Sequence, residues 1–376
     1  MKLSELDYAL PAERIAQEPP ERRDAARMLL LDRARGDWQD RQFREFPEIL
    51  RGDEMLVINT ARVIPARLFA RRKGVRSETP GPNPRVRSQF LQSPIEVLLA
   101  REIEPNVWEA LVRPGRKVGT GERLIFADSE LQAEVIARGE YGLRMLRFDG
   151  QNDLLALLER LGHTPLPPYI HRSYSDRAEE ALDRERYQTV FAKHPRAVAA
   201  PTAGLHFTPE ILERIRARGI PILELTLDVG LGTFQPIRSD EVEKHRMHCE
   251  AYQIPDETAA ALGAGRREGR RVLAVGTTVV RALEDAATKC AVAPTQSPVM
   301  KYHVMAAGKA AADIFIYPGF EFRIVDGLLT NFHLPRTSLL AMVAAFAGRE
   351  HILRAYQHAI SEGYRFYSYG DCMLIR

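Results

Sequence analysis

The chain has 376 residues, 45% hydrophobic and 27% charged, the balance of a soluble globular protein with more residues than one typical domain of about 100–200. No apolar run is long enough to cross a bilayer, Met1–Asp7 lacks the apolar core of a signal peptide, and Cys249, Cys290 and Cys372 are odd in number and far apart. Membrane spans and a disulfide framework are therefore excluded, a reducing cytoplasm is expected, and the net charge of +3 leaves any polyanion to be held by a local patch.

In chain order, the first local patch is Arg67, Arg71, Arg72, Lys73 and Arg76. The stretch from Lys73 to Pro94 then carries the Gly, Pro and Ser of a loop. Short apolar or alternating runs follow at 95–99, 107–112, 123–126, 132–136 and 143–148, split by Gly and Pro. They predict a small antiparallel barrel or sandwich. Within it, Arg113, Arg116 and Lys117 sit on a Pro-Gly turn. Helical spacing is expected at Leu154–Leu161, Pro209–Arg218, Thr258–Arg267 and Leu339–Glu362, interleaved with strands such as Arg271–Val275. That alternation reads as α/β. The expected architecture is a mixed α/β main domain formed by 1–66 plus 151–376, with a small antiparallel β-barrel-like domain inserted at 67–150.

Four polar clusters interrupt the α/β part. Val198–Pro209 uses small residues, prolines and His206 where a core strand would be bulky, and Thr208-Pro209 reads as an N-cap with proline at the first helical position. Leu225–Phe234 opens into a Gly-x-Gly turn at Gly230 and Gly232 that lacks the third glycine of a dinucleotide fingerprint. Asp326–Ser338 holds Asn331 and His333 between apolar segments. Tyr364–Asp371 combines aromatics, arginine and aspartate. Together they suggest one composite site.

These motifs, in order along nearly the whole chain, resemble the S-adenosylmethionine:tRNA ribosyltransferase-isomerases of queuosine biosynthesis. The resemblance also rests on Ile15–Pro19, Arg23–Arg27, Arg62–Leu68, Trp108–Lys117, Leu166–Ile170, Glu185–Val190, Glu243–His248 and Val275–Thr278. Departures are local: Asp228 stands where the family pattern has histidine, Thr60-Ala61 precede Arg62, Ala310–Ala312 precede Asp313, and Arg336-Thr337-Ser338 replaces Lys-Ser-Thr.

The resemblance implies S-adenosylmethionine as a ribosyl donor, not a prosthetic group, and a tRNA bearing 7-aminomethyl-7-deazaguanine at the wobble position as acceptor. Adenine and methionine leave, epoxyqueuosine forms, and the enzyme is a cytoplasmic monomer. Such chemistry needs a base beside the sulfonium-acidified ribose carbon, donors for leaving adenine and groups for the diol and methionine. His206 and His333 are the candidate bases. Arg62, Thr202, Gly204, Gly230, Gly232, His245, His248, Arg281, Asp313, Asn331, Tyr369 and Asp371 are candidates for substrate binding, with Arg281 suited to a carboxylate and Asp313, Asp326 and Asp371 to the diol or sulfonium. Arg71, Arg72, Lys73, Arg113, Arg116 and Lys117 are the candidate tRNA contacts.

Two other readings compete. An S-adenosylmethionine-dependent RNA methyltransferase would want a Gly-rich loop after an early strand, which is missing. A non-catalytic RNA-binding module explains the basic turns but not the histidines, aspartates and asparagine gathered in tight turns. His245, His248, Cys249 and Glu250 offer zinc-type ligands without a second paired motif, so no metal is expected.

Overall fold

The computed structural model describes residues 1–73, 95–127, 130–150, 153–173, 176–230, 237, 239–291 and 306–376. It divides into two compact units, one of 1–62, 167–172 and 185–376, the other of 63–166 and 173–184.

Along the chain, strands β1 (Arg27–Asp32), β2 (Asp37–Gln42), β3 (Glu54–Asn59) and β4 (Ala61–Val63) accompany the short helix α1 (Phe46–Ile49). The barrel strands follow: β5 (Arg67–Arg72), β6 (Ile95–Glu104), β7 (Val107–Arg113), β8 (Arg123–Phe126), β9 (Leu131–Arg138) and β10 (Leu143–Phe148). Next come α2 (Leu154–Leu161), α3 (Arg177–Arg186), β11 (His194–Ala197), α4 (Pro209–Ala217), β12 (Ile222–Leu227), β13 (Glu250–Ile254), α5 (Asp256–Arg267), β14 (Arg271–Val275) and α6 (Thr277–Ala291). The chain finishes with β15 (Gly308–Ala312), β16 (Gly327–Asn331), α7 (Ser338–Ala347), α8 (Arg349–Ser361) and β17 (Cys372–Ile375).

The larger unit is built on a nine-stranded mixed sheet, ordered β15-β13-β12-β3-β14-β16-β17-β1-β2. Its interior strand β3 is buried along its whole length. Alternation sends Met55 and Val57 into one core with α6, α7 and α8, and Leu56 and Ile58 into another with Phe43, Phe46, Phe207 and α4. Thr208 caps α4, its hydroxyl accepting from the Ile211 amide at 3.3 Å, with Pro209 at the first helical position. The helical stretch expected over 339–362 is two helices instead. Gly348, at φ 85°, closes α7 and begins α8, because a left-handed residue cannot continue a right-handed helix.

In the smaller unit, β10-β7-β6-β5-β8-β9 close into an antiparallel barrel. Closure removes every edge. Residues 153–166 and 176–184, which the sequence pattern placed with the α/β part, count with the barrel unit. The reason is local. His163 bridges to Arg67, Arg160 pairs with Glu130, and Gly162 lies so close to Pro65 that a Cβ would stand 1.9 Å from its carbonyl oxygen. Arg144, buried in β10, donates to the carbonyls of Gly115, Val118 and Leu143, and so holds the Pro-Gly turn from beneath.

One buried acid fixes the connection into β16. Glu284 of α6 is fully buried and accepts from the backbone amides of Arg323, Ile324 and Val325 at 2.8–3.0 Å. Glu284→Ala leaves three amides unsatisfied and opens a cavity. We expect it to lower the unfolding free energy in urea by roughly 2–4 kcal/mol, and a change within about 0.5 kcal/mol would mean that the segment holds itself in place.

Candidate active site

The parallel strands β3, β12, β14 and β16 all point their carboxyl ends at one region, where crevices of α/β sheets bind ligands. Two adjoining pockets open there. The first chamber is lined by Tyr169, Thr202, Thr277, Thr278, Thr330, Asn331, His333, Tyr367 and Ser368 among apolar residues, and spans about 520 Å³ with the solvent space at its mouth. Among the described residues, no charged side chain lines it. A second chamber of about 380 Å³ shares Thr277, Thr278 and Leu339 with the first and is lined by Met247, Glu250, Arg281, Ile314, Phe315, Ile316, Ser338 and Met342. Gly276 makes the common wall possible: at φ 91° it turns β14 abruptly into α6.

His333 lies in the wall of the first chamber. Its Nε2 meets the Thr330 hydroxyl at 2.9 Å, its amide donates to the Tyr356 hydroxyl, and its carbonyl accepts from Tyr8. Burial pushes its pKa down to about 3, so the ring is neutral at any working pH. Beside it, Asn331 donates from Nδ2 to the carbonyls of Tyr367 at 3.1 Å and Asp371 at 3.5 Å, while its Oδ1 is buried with no partner among the described residues. Flipping the amide would set an oxygen against two carbonyls, so the orientation is fixed by the network. An unmatched buried acceptor costs about 1–3 kcal/mol, which a ligand donor would recover. Tyr367 adopts φ 74° and packs edge-on against Tyr169 at 4.1 Å between centroids. Tyr169 and Ser368 share a 2.6 Å hydroxyl contact.

His206 sits elsewhere. It is buried against Phe43, with Nδ1 3.2 Å from the Ala203 carbonyl and Nε2 3.0 Å from that of Gly370. It does not line either chamber. Burial lowers its pKa, with the two carbonyls and Asp371 opposing. A neutral ring has one N–H, so it donates to one carbonyl at a time. Its place is that of a clasp on the C-terminal turn, where Gly370 is required because a Cβ would stand 2.4 Å from the Arg365 carbonyl.

The other predicted residues separate into groups. Thr202 and Asn331 line the first chamber and Arg281 the second. Arg281 is fully engaged: it pairs with buried Glu250 and donates to the carbonyls of His248, Ala312 and Ile314. Glu250 in turn accepts from the Gly230 amide at 2.9 Å. Gly204 packs against Phe191 and Thr189 too closely for any Cβ. Asp371 is buried with its carboxylate on the amides of Arg27 and Arg365 at 2.7 Å each, and Tyr369 is buried edge-on to Tyr187. His245 packs on Phe315, His248 and Arg62 are exposed, and Asp313 is exposed with Lys289 at 3.4 Å. Asp326 pairs with Arg266 before β16 begins, at the opposite end of the sheet. Gly232 lies outside the described residues, and no group of three or more His, Cys, Asp or Glu among those described is placed to hold a metal.

On the barrel, Arg71, Lys73, Arg113 and Arg116 are exposed, whereas Arg72 pairs with Glu122 at 2.9 Å. The Lys117 side chain is not among the described parts. Sequence reasoning missed Tyr169, Thr277, Thr278, Glu250, Phe315 and Met342 as lining residues. Only Gly276-Thr277-Thr278, a glycine turn opening a helix after a strand, carried a local signal.

Comparison with known proteins gives the chain its relatives. The model of a family described as queuosine biosynthesis protein matches residues 3–375. A protein of Solibacter usitatus named S-adenosylmethionine:tRNA ribosyltransferase-isomerase is 52% identical over 377 residues, covering 100% of both chains. One of the same name from Thermotoga maritima is 47% identical over 375 residues, again covering 100% of both. The crystal structure of S-adenosylmethionine tRNA ribosyltransferase from Thermotoga maritima matches at 36% identity, covering 99% of this chain and 100% of its own, with a TM-score of 0.51.

The buried ring of His333 makes stability depend on pH. Its folded pKa of about 3 lies below the ordinary 6.5, so the unfolded chain takes up the proton first as pH falls. Stability is therefore full above pH 6.5 and is lost between 6.5 and about 3, by up to about 1.4 kcal/mol per pH unit. Urea midpoints should fall more steeply from pH 6.5 to 4 in the parent than in His333→Gln. Parallel curves would reject a neutral buried ring.

Proposed function

The chain belongs to the queuosine biosynthesis family, and on that premise we propose that it is an S-adenosylmethionine:tRNA ribosyltransferase-isomerase. It transfers and isomerises the ribosyl part of S-adenosylmethionine onto 7-aminomethyl-7-deazaguanine in the tRNA anticodon, giving epoxyqueuosine, adenine and methionine. The observation that carries this reading is identity of 52% along the full length of a relative so named. The cavity at the carboxyl ends of the strands supports it with suitable groups. The protein works in the cytoplasm as a monomer without a prosthetic group, and its cysteines are free thiols.

The sulfonium acidifies the adjoining ribose carbon, and a base takes the proton there. His333 is held in the unprotonated form that a base requires, and the same burial makes it a weak one, so the acidity lent by the sulfonium has to carry most of that step. The aminomethyl nitrogen takes the place of adenine on the anomeric carbon, and adenine leaves with the proton the base removed. The carbanion then bonds to the anomeric carbon as the ring oxygen lets go of it, and that freed oxygen displaces methionine, which departs with the sulfur electron pair and leaves the epoxide. Hydroxyls of Thr202, Thr277 and Thr278 line the chamber in which these charges shift. His206 supports the reaction from the turn it clasps.

With S-adenosylmethionine and tRNA bearing the deazaguanine, the enzyme should release adenine and methionine in equal amounts. His333→Ala should lower turnover at least 100-fold while tRNA affinity changes less than threefold. S-adenosylhomocysteine as the product would replace the reading with a methyltransferase.

The tRNA meets the barrel through Arg71, Lys73 and the turn of Arg113, Arg116 and Lys117, with Arg72 nearby in its ion pair. Replacing Arg113, Arg116 and Lys117 with glutamine should flatten the salt dependence of tRNA binding by roughly two to three units, at about 0.7–0.9 for each phosphate no longer neutralised. Chemistry at saturating tRNA should persist. An unchanged slope would return the turn to ordinary solvated surface.

A further inference from the structure

The two chambers differ in chemistry, and so do the two ends of S-adenosylmethionine. The first chamber sets a few hydroxyl, amide and imidazole groups in a mostly apolar lining and, among the described residues, carries no charge. It suits a purine, which hydrogen-bonds along its edge and carries no formal charge. Its wall also holds the one kind of group that an amino-bearing base would complete: Asn331, 2% exposed, with an Oδ1 that no described residue meets and an amide that cannot turn over. The second chamber joins thioethers and aliphatics to an aromatic ring, in Met247, Met342, Ile314, Ile316 and Phe315, beside the buried Glu250–Arg281 pair. A sulfonium is a soft cation that an aromatic face attracts, and a methionyl chain packs on thioethers. The reverse placement would put the charged amino acid where no charge answers it.

Resting on the reading of S-adenosylmethionine as ribosyl donor, we propose that the donor spans both chambers: its purine amino group donates to Asn331 Oδ1 in the first, its methionyl part lies against Phe315 in the second, and the sulfur-to-ribose junction crosses Thr277 and Thr278. Asn331 is then the residue that selects an amino-purine donor, and its other hand, on the Tyr367 carbonyl, ties that selection to the turn forming the chamber wall.

The test compares kcat/KM for S-adenosylmethionine and for the analogue in which unsubstituted purine replaces adenine, in the parent, Asn331→Ala and Phe315→Leu. The parent should prefer the amino donor at least tenfold more than Asn331→Ala does, because removing the acceptor removes the distinction. Phe315→Leu should raise KM for both donors fivefold or more and leave their ratio within twofold of the parent's. A purely structural asparagine would lower both donors equally and keep the parent ratio, which overturns the proposal. So would a loss in Asn331→Ala that appears in KM for tRNA alone, since the amide would then read the acceptor base. Failure of the parent to consume S-adenosylmethionine at all would instead overturn the reading beneath it.

Discussion

A guanidinium buried away from water has to find acceptors for its donors, and Arg281 finds four of them on two segments of the chain. Glu250 begins β13, His248 precedes it, Ala312 ends β15 and Ile314 follows. Through Glu250 the same pair reaches the Gly230 amide. One side chain of α6 thus sets the spacing of an entire edge of the sheet. Removing either partner would leave the other charged and buried, the case in which an ion pair matters most. The second chamber exists because this frame keeps Phe315 and Met247 apart from α6 instead of letting them collapse onto it.

The opposite wall follows a different rule. There neutral groups and one capped acid take the strain: the asparagine amide on Tyr367, the imidazole of His206 on Gly370, and the carboxylate of Asp371 on two backbone amides. Tyr367 at φ 74° and the crowded Gly370 are conformations that a free chain leaves quickly. Two side chains from distant parts of the sequence, with the turn's own Asp371, hold the turn that carries both. Rigidity of that kind is what a reaction with shifting charge needs, since dipoles that are already oriented cost nothing to reorganise.

Much of this was legible in residues. Short apolar runs over 95–148 announced the barrel, Thr208-Pro209 announced α4, and polar groups set between apolar segments marked Asn331 and His333. Other features were silent for physical reasons. An aspartate that caps amides, as Asp371 does, looks in sequence like one that awaits a ligand, and so does Asp326, which pairs with Arg266 at the far end of the sheet. Phe315 and Met342 read as core, because an apolar side chain beside a cavity and one in a filled interior have the same pattern. The helix over 339–362 looked continuous because its apolar spacing persists across Gly348, whose backbone angle alone divides it.

Strand β17 has a consequence for the order in which the protein can assemble. It lies between β16 and β1, pairing Leu329 with Leu374 on one side and Leu30 with Leu374 on the other. The hairpin β1–β2 is synthesised first, yet it joins the sheet only through residues made some 340 positions later. On the ribosome β1, rich in leucine, must wait with an open edge while the barrel, whose pairings are local, is already able to close. Nascent chains of this protein therefore expose a long-lived apolar edge that a holding chaperone has reason to cover.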